Sequence, residues 1–238
     1  MKRNRVILAL VCGAQFMVVL DLAVVNVALP AMQADLRADP GDLQWVVTTY
    51  GLVLGGLLLL GGRAADLLGR RTVLVAGLGL FTAASLVAGL ADRLGPLIAA
   101  RAVQGAGGAL AAPAALSILV GTFREGPERN QALGIFGAVG GSAAAVGVIL
   151  SGALTSGPGW PWIFLLNVPI GVLLAALADG DGHHLAGVQV VEVAGGRVVG
   201  IHAHLDPALG SRFGLPARRR PRRGVTDTTI KLRRGERS

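Results

Sequence analysis

The chain of 238 residues has a single cysteine, and only 15% of its residues are Asp, Glu, Lys or Arg. Cys12 alone closes no intrachain disulfide, and a lone cysteine inside an apolar run is ordinary packing. A soluble domain of this length carries about 25% charged residues, so the scarcity of charge argues against a water-soluble globule. No glycine-rich nucleotide loop is present, which argues against a chain driven by nucleotide hydrolysis. His183, His184, His202 and His204 have no cysteine or third convergent ligand beside them, so no metal site is expected. Nor is there a catalytic nucleophile; the chain reads as a non-enzyme without cofactor.

What is abundant is apolar sequence. Hydrophobic residues make up 53% of the chain, and 36 residues are glycine. The apolar residues form six runs, at 6–30, 45–62, 73–91, 97–121, 132–154 and 162–178, each ended by charged or turn-forming residues. A bilayer core roughly 30 Å thick needs about 20 apolar residues in a helix. Five runs meet or nearly meet that length, and the sixth is short. The sequence therefore predicts an all-α membrane protein with six transmembrane helices. The first run follows Lys2, Arg3 and Arg5 as a signal peptide would, but it is too long and contains Asp21, so it reads as a retained span.

Charge distribution predicts orientation. Residues 1–178 carry 11 basic and 8 acidic side chains, and 179–238 carry 11 and 6. Lys2, Arg3, Arg5, Arg63, Arg70, Arg71, Arg124 and Arg129 fall on one side of the six spans, against Arg37 and Arg93 on the other. Basic loops stay cytoplasmic, so both ends of the chain are expected inside. Trp45, Trp160 and Trp162 then fall at the outer helix ends, where an aromatic belt sits. Small-residue pairs at Gly51/Gly55, Gly105/Ala109 and Gly137/Gly141 suit close helix packing. The fifth span, with Gly134, Gly137, Gly140, Gly141, Gly147 and Gly152, is thin enough to serve as a hinge between helical bodies.

Two charges lie inside apolar runs. Asp21 is in the first and Arg101 in the fourth. An ionisable residue in the bilayer is costly and normally faces a cavity or a partner. At 1.5 Å per residue, Asp21 lies roughly 13 Å and Arg101 roughly 7 Å below the same outer surface. The two are expected in the outer half of one bundle, paired or lining a shared water-filled cavity; the alternative is that Arg101 reaches to the outer headgroups. The segment 62–71, with Asp66 among Arg63, Arg70 and Arg71, reads as a tight cytoplasmic turn.

Taken together these segments resemble the major facilitator superfamily, in particular its fourteen-span drug:proton antiporter branch. The resemblance covers about residues 5–178. Leu20, Asp21, Val24, Val25, Asn26, Leu29 and Pro30 look like that branch's first-span signature, with Ala23 where Thr is usual. Gly62, Asp66, Gly69, Arg70 and Arg71 look like the superfamily's loop between spans two and three, with Leu67 in a commonly basic place. Arg101, Gln104, Gly105, Gly107 and Gly108 look like the fourth-span motif. Gly140, Gly141, Gly147 and Gly152 look like the fifth-span antiporter motif, with Val148 where Pro is frequent. Trp160, Trp162, Phe164, Asn167, Pro169 and Gly171 look like the start of span six, with Pro161 for a usual Arg.

The resemblance implies roles. Asp21 is the embedded acid that carries or senses a proton, and Arg101 controls it: a nearby cation favours the carboxylate, while burial opposes it. Asp66, Arg70 and Arg71, with Gly62 and Gly69, gate the cytoplasmic side. Gly140, Gly141, Gly147 and Gly152 form the hinge. The implied partners are the lipid bilayer, protons and a hydrophobic or cationic small molecule exported from a bacterial cell across its plasma membrane. Such carriers alternate access between two half-bundles, and six spans make one half; a homodimer or a separate C-terminal half is the implied complement.

The remainder reads differently. The segments 188–193 and 197–205 flank Ala194, Gly195 and Gly196 as a β-hairpin would. Residues 188–216 resemble the last strands of the SnoaL-like domain that closes some extracytoplasmic-function sigma factors. The sequence thus divides into 1–178, a six-helix half-carrier; 179–217, a hairpin fragment of an unrelated domain; and 218–238, a disordered Arg-rich tail. A frameshift or a deletion fusion would join them. Binding of nucleic acid or anionic lipid by Arg218–Arg223 is disfavoured against a solvated tail. Two rivals remain open: a membrane-anchored binding protein working through the tail, and an inactive fragment.

Overall fold

The computed structural model describes residues 2–180, with 193–194 and 197–198. They fall into two units, Met1–His183 and His184–Ser238. The first contains α1 (Lys2–Leu36), α2 (Pro40–Leu43), α3 (Trp45–Leu68), α4 (Arg70–Gly89), α5 (Leu94–Thr122), α6 (Pro127–Ser156), α7 (Trp162–Leu165) and α8 (Asn167–Gly180). Among the described residues, five stretches are long and apolar enough to cross a bilayer: α1, α2 with α3, α4, α5 and α6. The sixth, Trp162–Ala178, is shorter and is split at Leu166 into α7 and α8. Pro169 accounts for the split, since without an N–H it leaves the Leu165 carbonyl no helical donor.

Two apolar clusters show how the helices run. One gathers Leu10, Met17, Leu74, Phe81, Ala114, Leu119, Ala132 and Leu174. The other gathers Val24, Met32, Val46, Ala88, Leu97, Ala143 and Phe164. Along α1, α4 and α6 the chain meets the first cluster before the second. Along α3, α5 and α7–α8 it meets them in reverse. The crossings therefore alternate in direction, as short connections between successive spans require. Between the clusters lie the buried polar residues Asp21, Thr82, Ser85, Arg101, Gln104 and Asn167.

Helix α5 is the centre of this packing, with α3 on one side and α4 on the other, while α1 packs on α6 and α8 on α4. Glycine permits the approach. A Cβ on Gly107 would lie 2.6 Å from the Phe81 nitrogen, and one on Gly105 would lie 2.7 Å from the Tyr50 carbonyl oxygen. The closest approach to another helix's backbone is at Gly61, where a Cβ would overlap the Ala109 carbonyl oxygen. Pro113 explains that position: it removes the N–H that would bond Ala109 O, and the freed carbonyl faces the bare Cα of Gly61. The Gly51/Gly55 and Gly137/Gly141 pairs are different, since a Cβ at any of them meets no atom within 4 Å. They line outward faces. About half of the apolar stretch of α1, α4 and α5 is buried in the bundle, against 17% for α2–α3 and 11% for α6.

Three local expectations need correction. The tight turn at 62–71 is almost wholly helix: α3 runs to Leu68 and α4 begins at Arg70. Gly69 alone breaks it, at φ 95°, a backbone conformation that costs a side-chain-bearing residue energy. The first span does not end near Pro30, because α1 continues through it to Leu36. Trp160 is not a headgroup anchor. It is buried, and its indole N–H donates to Asp35 Oδ2 at 2.8 Å, whereas Trp45 and Trp162 are about half exposed. Trp160→Phe keeps an aromatic ring but removes the indole N–H and some buried volume, so a loss of at least about 1 kcal/mol is expected in detergent unfolding; an unchanged midpoint would remove the bond's share in stability.

In the second unit, Val193–Ala194 (β1) pairs antiparallel with Arg197–Val198 (β2), in register Val193↔Val198 and Ala194↔Arg197. The pair falls within the expected hairpin segment, with Ala194, expected in the turn, belonging to β1. The rest of that hairpin, the sigma-factor-like stretch to 216 and the Arg-rich tail lie outside the described residues.

Candidate functional site

The polar layer is built from one residue of nearly every crossing. Helix α1 supplies Asp21, α3 Tyr50, α4 Ser85, α5 Arg101 and Gln104, and α8 Asn167. Arg101 is fully buried and Asp21 is 2% exposed. Arg101 Nη1 donates to Asp21 Oδ2 at 2.5 Å and to Gln104 Oε1 at 2.8 Å. Its Nε donates to the Val46 carbonyl at 3.0 Å. The guanidinium carbon stands 4.1 Å from the centre of the Tyr50 ring, with Phe164 at 5.7 Å. A cation over an aromatic face is favoured, more so when desolvated.

Asp21 receives two further donors. Gln104 Nε2 and Asn167 Nδ2 each reach Oδ1 at 3.0 Å. Gln104 Nε2 also donates to Ser85 Oγ at 2.7 Å, and Ser85 in turn donates to Phe81 O. Among the described residues, two buried side-chain polar atoms have no partner: Arg101 Nη2 and Asn167 Oδ1.

Helix spacing and side-chain reach together make this contact. Arg101 and Gln104 are three residues apart on α5, so they share a face. The close approach at Gly105 draws that face against α3, beneath Tyr50. Asp21 and Arg101 meet directly, and Arg101 does not extend toward the outer headgroups. The pair is enclosed by side chains. Gln104, Ser85, Asn167 and Tyr50 complete the cluster and were not among the expected site residues. Gln104 and Asn167 did lie in segments that carried the resemblance.

The other expected residues lie elsewhere. Gly62 is inside α3, with Pro113 at ordinary contact distance. Asp66 is exposed. Arg70 Nη1 donates to the Ser117 carbonyl at 3.1 Å, and Arg71 Nε to the Ala178 carbonyl at 2.6 Å. Two adjacent cations at the start of α4 thus bind carbonyls toward the ends of α5 and α8, where the helix dipole is negative. In α6, Gly147 packs against Ala23 and Leu20, and Gly140 faces Gln15. A Cβ on Gly141 or Gly152 meets nothing within 4 Å, and α6 is unbroken through all four positions.

Alternating helices long and apolar enough to cross a bilayer, packed around a buried acid–guanidinium pair, define a multi-pass membrane protein. The Major Facilitator Superfamily profile matches residues 11–189, and the chain belongs to that superfamily. It is 49% identical over 171 residues to a cephamycin export protein of Amycolatopsis lactamdurans, covering 72% of this chain and 35% of that one. It is 47% identical over 166 residues to a puromycin resistance protein of Streptomyces alboniger, covering 70% and 33%. It is 46% identical over 156 residues to a lincomycin resistance protein of Streptomyces lincolnensis, covering 66% and 32%. A solved peptide transporter shares the fold, with TM-score 0.67, 17% identity and coverage of 87% and 42%. The chain spans about a third of the length of the curated relatives it matches.

Proposed function

We propose that this chain is the first half-bundle of a proton-coupled exporter of small molecules, of the drug:proton antiporter branch, in a bacterial plasma membrane. The single observation that carries the reading is the buried Asp21–Arg101 pair, held in a layer of uncharged polar groups between two apolar clusters. Asp21 takes up or releases the proton, and Arg101 sets the balance between the two states. Exchange of Asp21 between cytoplasmic and external access couples the proton to substrate movement. The names of the relatives support antibiotics or similar compounds as the exported class. Both chain ends lie in the cytoplasm.

Arg70 and Arg71 tie the start of α4 to α5 and α8, which supports a latch at the cytoplasmic end with Gly62, Asp66 and Gly69. The outward glycines of α6, with Gly140 and Gly147 on its inner side, support a rocking surface. The exposed faces of α3 and α6 take the complement of the carrier, either a second copy or a separate C-terminal half. Residues 179–217 and 218–238 are sequence foreign to this half, the latter rich in arginine.

Purified chain in proteoliposomes under an imposed pH gradient tests the coupling. Proton flux in the wild type is expected to fall at least tenfold in Asp21→Asn. Equal flux in the two proteins would remove Asp21 from the coupling.

A further inference from the structure

Asn167 is the partner of Asp21 that holds a spare acceptor. Its Nδ2 donates to the carboxylate, but its Oδ1 is buried without a partner. Gln104, the other amide, is engaged at both ends: Oε1 accepts from Arg101, and Nε2 donates to Asp21 and Ser85.

This difference matters when a proton arrives. A carboxylate only accepts hydrogen bonds, whereas a neutral carboxyl has an O–H to donate. All three groups bonded to Asp21 present donors to it: Arg101 Nη1, Gln104 Nε2 and Asn167 Nδ2. A guanidinium has no acceptor to offer. Gln104 would have to release Arg101 and Ser85 to reverse. Asn167 reverses by a half turn about its terminal torsion, with no bond from its oxygen to break.

We propose that Asn167 is the positioning residue that follows the protonation of Asp21, donating to the carboxylate and turning over to accept from the carboxyl. The inference rests on the reading of Asp21 as the proton-bearing group. The charged or titratable groups that face Asp21 are Arg101 from α5 and, beneath its guanidinium, Tyr50 from α3. From α4 and α8 the facing groups are the uncharged Ser85 and Asn167. From α6, Ser151 bonds the Val24 carbonyl of α1, and α6 gives Asp21 no hydrogen bond among the described residues.

Infrared difference spectra between acid and neutral pH test this on the full chain in lipid nanodiscs, with the asparagine side-chain amides carrying carbon-13. In the wild type, a carboxyl band that Asp21→Asn abolishes is expected together with an isotope-shifted amide band. Asn167→Leu is expected to lose the amide band and move the carboxyl band to higher frequency. Asn167→Gln is expected to lose the labelled band yet keep the carboxyl band near its wild-type position. A carboxyl band at one frequency in wild type and Asn167→Leu, with no labelled amide band, overturns the inference and leaves Asp21 as proton carrier. A spectrum in which Asp21→Asn changes nothing overturns both. If Asn167→Leu does not fold, the labelled wild-type spectrum beside Asn167→Gln decides alone.

Discussion

Replacing Arg101 with leucine is expected to destabilise the bundle by about 3–5 kcal/mol, the usual cost of stranding one partner of a buried ion pair. The pair here is fully enclosed, since neither side chain is more than 1% exposed. Leucine leaves Asp21 with two amide donors and no countercharge. It also vacates the face of Tyr50 and leaves the Val46 carbonyl without the guanidinium. The double variant Asp21→Asn, Arg101→Leu is expected to recover much of the loss, because a neutral amide needs no countercharge. Reversible unfolding in mixed micelles reads both. A single variant as stable as wild type, or a double variant no better than the single, would mean that the charges are solvated and the enclosure is wrong.

The second large effect is steric. Gly61→Val places branched carbon where the Ala109 carbonyl already stands, on backbone that cannot rotate away. Overpacking costs about 1–3 kcal/mol in ordinary cores, and the upper end or more is expected here. Gly55→Val, one turn and a half earlier on the same helix, meets open space. Its effect on this chain is expected to stay within about 0.5 kcal/mol, as for surface sites generally. Pro113→Ala restores an N–H to bond the Ala109 carbonyl, so the gentler Gly61→Ala is expected to be better tolerated in that background. Equal losses at Gly61 and Gly55 would show that the contact with Ala109 does not set the cost, since helix propensity favours valine over glycine at both.

These contrasts mark what the sequence made legible. Hydropathy located the crossings, because lipid leaves so few alternatives to an apolar helix. Asp21 and Arg101 were legible for the same reason: a charge in an apolar run stands out, and its cost demands an explanation. Ser85, Gln104 and Asn167 carry no such signal, since an uncharged polar residue is cheap enough to occur singly in any span. Only their convergence from three helices makes them a site. Glycine spacing was equally mute about direction. Gly51/Gly55 and Gly105/Ala109 have the same period, yet the first pair faces outward and the second is pressed between helices. Gly61 was passed over in favour of Gly62, because the freed carbonyl that selects it lies on another helix. The turn at 62–71 was misread since charged residues mark the end of a span, not the end of its helix.

The acid and the guanidinium that meet in the polar layer are separated by eighty positions in the chain. A ribosome adding about 5–20 residues per second makes the first roughly 4–16 s before the second. During that interval α1 has already left the ribosome, with its carboxyl group awaiting a countercharge not yet translated. Biogenesis must shelter this helix in the insertion machinery, or admit it to lipid neutral, until α5 arrives to complete the pair.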